Sequence, residues 1–267
     1  MTPDIQIRTR IMAVVFAVLA TCAVARAQSV DPTFNPGVSG YVYALAVQAD
    51  GKIMVGGTFY KLGGGGTGTT TRNSLGRLNT DGSVDMTFDP DVYYSALSEA
   101  TVGALALQAD GKILVGGSFT GLGGQPGLYN PRHLPRKNIA RLNADGSFDT
   151  SFDPGAGGTA FGGVTALVVQ ADGKILVGGG FTTLGGGGAG TTTRNYIGRL
   201  NADGTLDTDF NPGANGNVTA LAVQADSRSI IQTFCDSVLG FSISLGAIQK
   251  VLDRVSRAIE PCDKDFG

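Results

Sequence analysis

The strongest constraint on this chain is internal repetition. The string Ala-Leu-Ala-Val-Gln-Ala-Asp-Gly-Lys-Ile at 44–53 returns with small changes at 104–113 and 166–175, and its first seven residues return at 220–226. The aspartates of its Asp-Gly pair fall at 50, 110 and 172, spacings of 60 and 62 residues. A second signature, Arg-Leu-Asn-x-Asp-Gly, occupies 77–82, 141–146 and 199–204. A third, Asp-x-x-Phe-(Asn/Asp)-Pro, occupies 31–36, 85–90, 149–154 and 207–212. Three signatures in constant order define a tandem array in which each unit is one supersecondary element.

Each unit reads as four short strands. In the first, 42–48 is apolar with small residues, as in a strand buried on both faces. Asp50-Gly51 follows, a strong hairpin signal that predicts a type I′ turn. Residues 52–59 form the second strand, and Gly56-Gly57 inside it predicts a bulge or a close backbone approach. A glycine-rich loop leads to the third strand at 73–79. Asp81-Gly82 then turns the chain into a last strand ending near Phe88, with Pro90 unable to donate to a ladder. Four antiparallel strands repeated in tandem describe an all-β protein built as blades of a propeller. The segment 31–36 carries a last-strand signature ahead of any first strand, the arrangement by which an N-terminal strand completes a final blade. A β-solenoid ranks second, because solenoid rungs are usually shorter.

Composition fits. Glycine supplies 42 of 267 residues without a three-residue period, which excludes collagen, and 42% hydrophobic residues suffice for a core. The stretch 28–226 holds 12 basic and 16 acidic residues, so it lacks the basic face of a nucleic-acid binder.

Residues 108–119, Gln-Ala-Asp-Gly-Lys-Ile-Leu-Val-Gly-Gly-Ser-Phe, together with 141–152, Arg-Leu-Asn-Ala-Asp-Gly-Ser-Phe-Asp-Thr-Ser-Phe, resemble the bacterial delta-60 repeat, a β-propeller family. The resemblance covers about 31–226. It implies a propeller fold and an exported protein, and it carries over no functional residue.

The N-terminus, 1–27, reads as a signal peptide. Arg8 and Arg10 precede an apolar stretch, 11–24, broken only by Thr21, and Ala25-Arg26-Ala27 fits a cleavage site that leaves Gln28 as the new terminus. The expected location is secreted, periplasmic or cell-surface, with no stable membrane span after cleavage. Lipid anchoring at Cys22, through the weak lipobox 19–22, is the alternative. The other cysteines, Cys235 and Cys262, lie outside the repeats, so the array is not a disulfide scaffold.

The fourth unit breaks at Asp226, where Gly-Lys-Ile is replaced by Ser227-Arg228-Ser229-Ile230. Beyond it, Ile248, Val251, Leu252, Val255 and Ile259 follow helical spacing, with Ser244 as N-cap and Pro261 as stop. The expected organisation is therefore 1–27 leader, 28–226 three full repeats and a truncated fourth of an incomplete propeller, and 227–267 a short helical segment. Residues 238–240 and 243–255 resemble an internal fragment of an insertion-sequence transposase, upstream of that family's catalytic carboxylates. The resemblance implies that a mobile element interrupted the gene; a genuine helical domain is the alternative.

Several motifs invite chemistry. Asn79, Asp81 and Asp85, with their copies from Asn143 and Asn201, place oxygen ligands at alternate positions as calcium requires, but each copy offers two carboxylates at most, and a hairpin turn is the preferred reading. GxGxxG at 63–68 and 185–190 precedes a Thr run and not a helix, so it reads as a flexible loop. Arg77, Arg141 and Arg199 are expected to pair with Asp85, Asp149 and Asp207 across the hairpin, and Lys52, Lys112 and Lys174 to be solvated. His133, the only histidine, sits in an insertion of the second unit, 123–137, and has no partner for a zinc site. No GxSxG or HExxH occurs. The expectation is a non-enzymatic interaction scaffold with no catalytic, metal or cofactor residues. It would bind an unidentified protein or glycan through the insertion and the Gly/Thr-rich loops. The alternatives are a disruption product without function and a propeller-type hydrolase or lyase.

Overall fold

The computed structural model describes residues 31–94, 99–124, 133–158 and 162–223, and the backbone of 229–230. All regular structure among them is β-strand. The inner, middle and outer strands of blade 1 are Tyr41–Val47, Ile53–Thr58 and Leu75–Leu78; those of blade 2 are Thr101–Leu107, Ile113–Ser118 and Ile139–Leu142; those of blade 3 are Val164–Val169, Ile175–Gly179 and Ile197–Leu200. Each trio is an antiparallel sheet in sequence order. The inner strand of blade 2 packs against the inner strands of blades 1 and 3, and the fold is an incomplete β-propeller.

The expected fourth strand shrinks to a single bridge in each blade: Leu78 with Val84, Leu142 with Phe148, Leu200 with Leu206. The cause is the next residue. Asp85 N–H still bonds to Arg77 C=O at 2.8 Å, but Asp85 Oδ1 then accepts the Thr87 N–H at 3.0 Å. A side chain that captures the backbone two residues on forms an Asx turn, so the strand stops there.

The Asp-Gly turns also differ from expectation. Only the glycine has positive φ, 83° at Gly51, whereas a type I′ turn needs it at both central residues. Gly51 N–H bonds to Gln48 C=O at 2.9 Å, and Gln48 N–H to Lys52 C=O at 2.8 Å. This is a type I turn followed by a left-handed glycine bulge, stabilised by Asp50 Oδ1 accepting the Lys52 N–H at 3.1 Å.

The Gly-Gly pair of each middle strand serves both purposes read from it. A Cβ on Gly116 would fall 2.6 Å from Val164 Cγ1 of the next blade; Gly56 stands in the same relation to Val102, and Gly178 to Val218. A Cβ on Gly117 would fall 1.9 Å from the Thr101 carbonyl oxygen of its own blade, beside the register shift between Val102 and Ala104. One glycine admits the neighbouring blade; the other admits a bulged partner strand.

The core therefore lies between blades. One cluster joins Met54, Leu75 and Phe88 of blade 1 to Val102, Val115 and Phe119 of blade 2. A second joins Leu114, Ile139 and Phe152 of blade 2 to Val164, Val177 and Phe181 of blade 3. Burying each phenyl ring contributes roughly 2–3 kcal/mol. A smaller cluster, Val55, Phe59, Leu62 and Leu78, lies on the opposite side of blade 1.

Past the sequence break, Ser229–Ile230 pairs antiparallel with Ala222–Val223, so the backbone of the fourth unit's hairpin is kept to four residues beyond Asp226, where the repeat stops. The leader at 1–27, the junction residues 224–228 and the helix expected near 244–260 lie outside the described residues.

Candidate functional site

In an antiparallel sheet of this order the turns alternate ends. The Asp-Gly turns of inner-to-middle and outer-to-last segments share one end, and the glycine-rich loops lie at the other.

At the turn end each blade buries a cluster of ionic groups. Asp85 Oδ2 accepts Arg77 Nε at 2.9 Å and Lys52 Nζ at 2.8 Å. Asp149 holds Arg141 and Lys112 at 2.8 and 2.9 Å, and Asp207 holds Arg199 and Lys174, each at 2.8 Å. The expected arginine–aspartate pairs are present. The lysines read as solvated are instead half-buried members of the same clusters, because the lysine and arginine side chains of adjacent strands converge on one carboxylate. Burial would raise the Asp85 carboxyl pKa, but hydrogen bonds from Lys52 and Thr87 and the Arg77 charge outweigh it and hold it well below the usual range. Asp149 behaves alike: burial opposes, and Ser151, Lys112 and Arg141 prevail. For Asp207 the Lys174 bond leads the lowering.

Arg77 and Arg141 also tie their blades to the next. The Arg77 guanidinium lies 4.5 Å above the Phe88 ring centre, and Arg141 4.3 Å above that of Phe152. Arg77 Nη1 donates to the Ala144 carbonyl of blade 2 at 2.8 Å, and Arg141 Nη1 to the Ala202 carbonyl of blade 3. Carboxylates so engaged are framework. In the second signature, Asp81 Oδ1 accepts both Ser83 N–H and Oγ–H, at 2.9 and 2.6 Å. Among the described residues no three of His, Cys, Asp and Glu gather into a metal-binding group. Open clefts remain at this end. One of about 380 Å³ is lined by Gln48, Asp50, Leu107, Gln108 and Ala144, among others. Another of about 600 Å³ lies between Met86, Asp89, Asp145 and Phe148.

A second set of arginines, in phase with the repeat, is also buried. Arg72, Arg136 and Arg194 precede Arg77, Arg141 and Arg199 by five residues in every unit, and all three are buried. Arg136 Nε donates to the Phe152 carbonyl and Nη2 to the Thr150 carbonyl, both at 2.8 Å, pinning the Asx-turn segment under the loop.

At the loop end, the GxGxxG segments are hairpins. Lys61–Leu62 pairs with Thr70–Thr71, and Thr183–Leu184 with Thr192–Thr193, so a strand follows the glycines. The second unit differs. Its insertion is described at 123–124 and 133–137, where Gly121–Leu122 pairs with Leu134–Pro135. His133 Nδ1 lies 3.0 Å from the Gly124 carbonyl, and its ring meets Tyr93 edge-on with centroids 6.2 Å apart. Lys137 Nζ lies 5.6 Å from the Tyr94 ring centre. Two tyrosines, a histidine and a lysine, none repeated in the other blades, thus share one loop cluster.

Stacked blades keyed by repeated ionic clusters, with divergent loops at one end, define a β-propeller repeat protein. The protein family described as "Domain of unknown function (DUF5122) beta-propeller" matches residues 48–88, 108–129, 134–152 and 170–210. Among solved structures, the chain is similar to the extracellular domain of the one component system BT4673 from B. thetaiotaomicron, at 13% identity and a TM-score of 0.41, over 72% of this chain and 20% of that one. It is also similar to an extracellular domain described under the hybrid two component system BT4673 of the same organism, at 15% identity and a TM-score of 0.37, over 71% of this chain and 20% of the other. The chain thus spans about a fifth of the length of those structures. No curated protein matches it.

Proposed function

We propose that the chain is an exported, non-enzymatic binding scaffold of the delta-60 type that recognises a peptide or glycan through the loop end of blade 2. The observation that carries this is a division of labour among side chains. The charged groups that recur in every unit are consumed by the blade framework, as with Asp85 between Lys52 and Arg77. The residues that do not recur, Tyr93, Tyr94, His133 and Lys137, gather at one end. Aromatic rings beside a cation supply rigid contact area and a directional charge, the chemistry of a recognition surface. Export rests on the leader features of 1–27.

The test is an array of peptides and glycans probed with purified protein. Selective binding without turnover, lost in Tyr94→Ala and Lys137→Ala, is expected. Turnover of any array member, or binding indifferent to both substitutions, rejects the reading. Export is checked by mass spectrometry of envelope and medium fractions for peptides that begin at Gln28.

A second reading rests on the abrupt change of residue pattern at Asp226. In it, 227–267 is read through from an inserted mobile element and the product has no function. Junction peptides spanning 225–232 found in exported protein oppose it; an element boundary in the gene at that codon supports it.

A further inference from the structure

The residue that follows the proline of the third signature is glycine at 37, 155 and 213, with φ of 69°, 61° and 62°. On the links into blades 1 and 3 the slot admits nothing larger. A Cβ on Gly37 would fall 2.3 Å from the Gly65 carbonyl carbon, and one on Gly155 would fall 2.2 Å from the Gly188 carbonyl oxygen, both in the glycine-rich loops. On the link into blade 2 the same slot holds Asp91, at φ 47°. The unit whose loop diverges is thus the unit that places a charged side chain where the backbone asks for glycine. Aspartate is among the few residues that tolerate this conformation, but the fold does not call for its carboxylate.

The surroundings join Asp91 to the loop cluster. Asn73 Nδ2 donates to Asp91 Oδ1, and Asn73 is itself placed by its carbonyl accepting the Val92 N–H at 3.3 Å. The Asp91 carbonyl accepts the Gly124 N–H at 3.0 Å, while the Gly124 carbonyl meets His133 Nδ1. One glycine therefore carries Asp91 on one side and His133 on the other, and Tyr93 stands two residues along the same segment. Asp91 and Asn73 are both half-buried, as are Tyr93, Tyr94, His133 and Lys137.

We infer that Asp91, held by Asn73, is a specificity-determining residue of this cluster, and that the ligand it selects is a neutral glycan. The inference rests on the binding function proposed above and names its ligand class. An ionised carboxylate accepts at about four lone-pair positions, so the bond from Asn73 orients the group and leaves it able to accept from hydroxyls. A carboxylate beside an amide matches adjacent sugar hydroxyls, each of which donates to one group and accepts from another. The tyrosine rings supply apolar faces for the C–H side of a sugar. Asp91 and Lys137 balance each other in charge. A neutral ligand meets no like charge there, whereas an acidic or a basic peptide meets one of the two.

The experiment screens full-length protein on an array of neutral oligosaccharides, sulfated and sialylated glycans, and acidic and basic peptides. Calorimetry then measures the strongest binder. A neutral oligosaccharide is expected, bound about tenfold or more weakly by Asp91→Gly and by Asp91→Asn. The thermal midpoint of Asp91→Gly should be unchanged or higher, because glycine adopts the left-handed conformation without strain. Undiminished glycan binding in both Asp91 variants, alongside its loss in Tyr94→Ala or Lys137→Ala, overturns the inference and leaves the binding function standing. A charged glycan or a peptide as strongest binder does the same. Lowered thermal midpoints in both Asp91 variants, with binding lost only in step with unfolding, make Asp91 framework and also overturn it. Binding of no array member overturns the inference and the function together.

Discussion

The ring of Phe88 lies against the α-carbon of Gly146, in the turn of the following blade, so closely that an added Cβ would fall 2.5 Å from Phe88 Cδ2. The contact links the last segment of one repeat to the turn of the next, and Arg77 stacks on the same ring. Gly146→Ala must displace the ring and also holds a Cβ at φ 95°. The expected cost is about 2–4 kcal/mol, from overpacking and left-handed strain together. Urea denaturation at neutral pH measures it.

Position in the ring decides what a repeated residue contributes. Leu45 and Leu167 occupy the same place in their units, yet Leu45 is 64% exposed and Leu167 8%. Leu167→Ala should destabilise by about 2–4 kcal/mol, and Leu45→Ala by less than about 0.5 kcal/mol. Equal effects in paired denaturant titrations would contradict the inter-blade location of the core.

The ionic clusters should make arginine irreplaceable by lysine. Arg141 bonds Asp149 through Nε, reaches Ala202 through Nη1 and stacks on Phe152. Arg141→Lys loses the fork and the stacking, for about 2–3 kcal/mol. Lys112→Met leaves the arginine pair intact and should cost about 1 kcal/mol, since Lys112 is half-exposed. The difference between the two variants' unfolding midpoints is the readout.

Acid should unfold the protein through these same carboxylates. Asp85 and Asp149 ionise well below the ordinary value in the folded chain. The unfolded chain, with aspartates near about 3.9, takes up protons first as pH falls. The stabilisation is thus complete above about pH 5 and is lost as pH descends through 4 toward the depressed folded values. Thermal midpoints should fall steeply between pH 5 and 3, and more shallowly in Asp149→Asn, whose stability at pH 7 is already reduced.

Much of this is written in the sequence because repetition reports it three times over. The strand order, the hairpin turns and the arginine–aspartate pairs followed from spacing within the unit. What escaped lies between units or in local backbone choices. Lys52 reads as solvated from its own strand, and only the convergence of three segments on Asp85 buries it. The last strand fails because the Asp85 side chain captures the Thr87 N–H, a competition that a β-pattern does not display. The turn departs from the expected type I′ because Asp-Gly fits two hairpin geometries, and the Gln48–Gly51 bond selects the one with a bulge. Arg72, Arg136 and Arg194 were in phase with the repeat, but an arginine's burial depends on carbonyls supplied from a distant loop.

The bond from Arg77 to the Ala144 carbonyl also sets an order of assembly. The acceptor lies in the next repeat, 67 residues downstream. A chain emerging from its N-terminus can form the Arg77–Asp85 pair as soon as blade 1 is present. It can satisfy the remaining guanidinium nitrogen only when blade 2 has followed. Each repeat is thus finished by its successor, and the most recently made one stays unfinished. Arg199 shows that condition: its side chain is 22% exposed, against 5% and 6% for Arg77 and Arg141. Growth of such an array is directional, like a zipper whose leading tooth is always open.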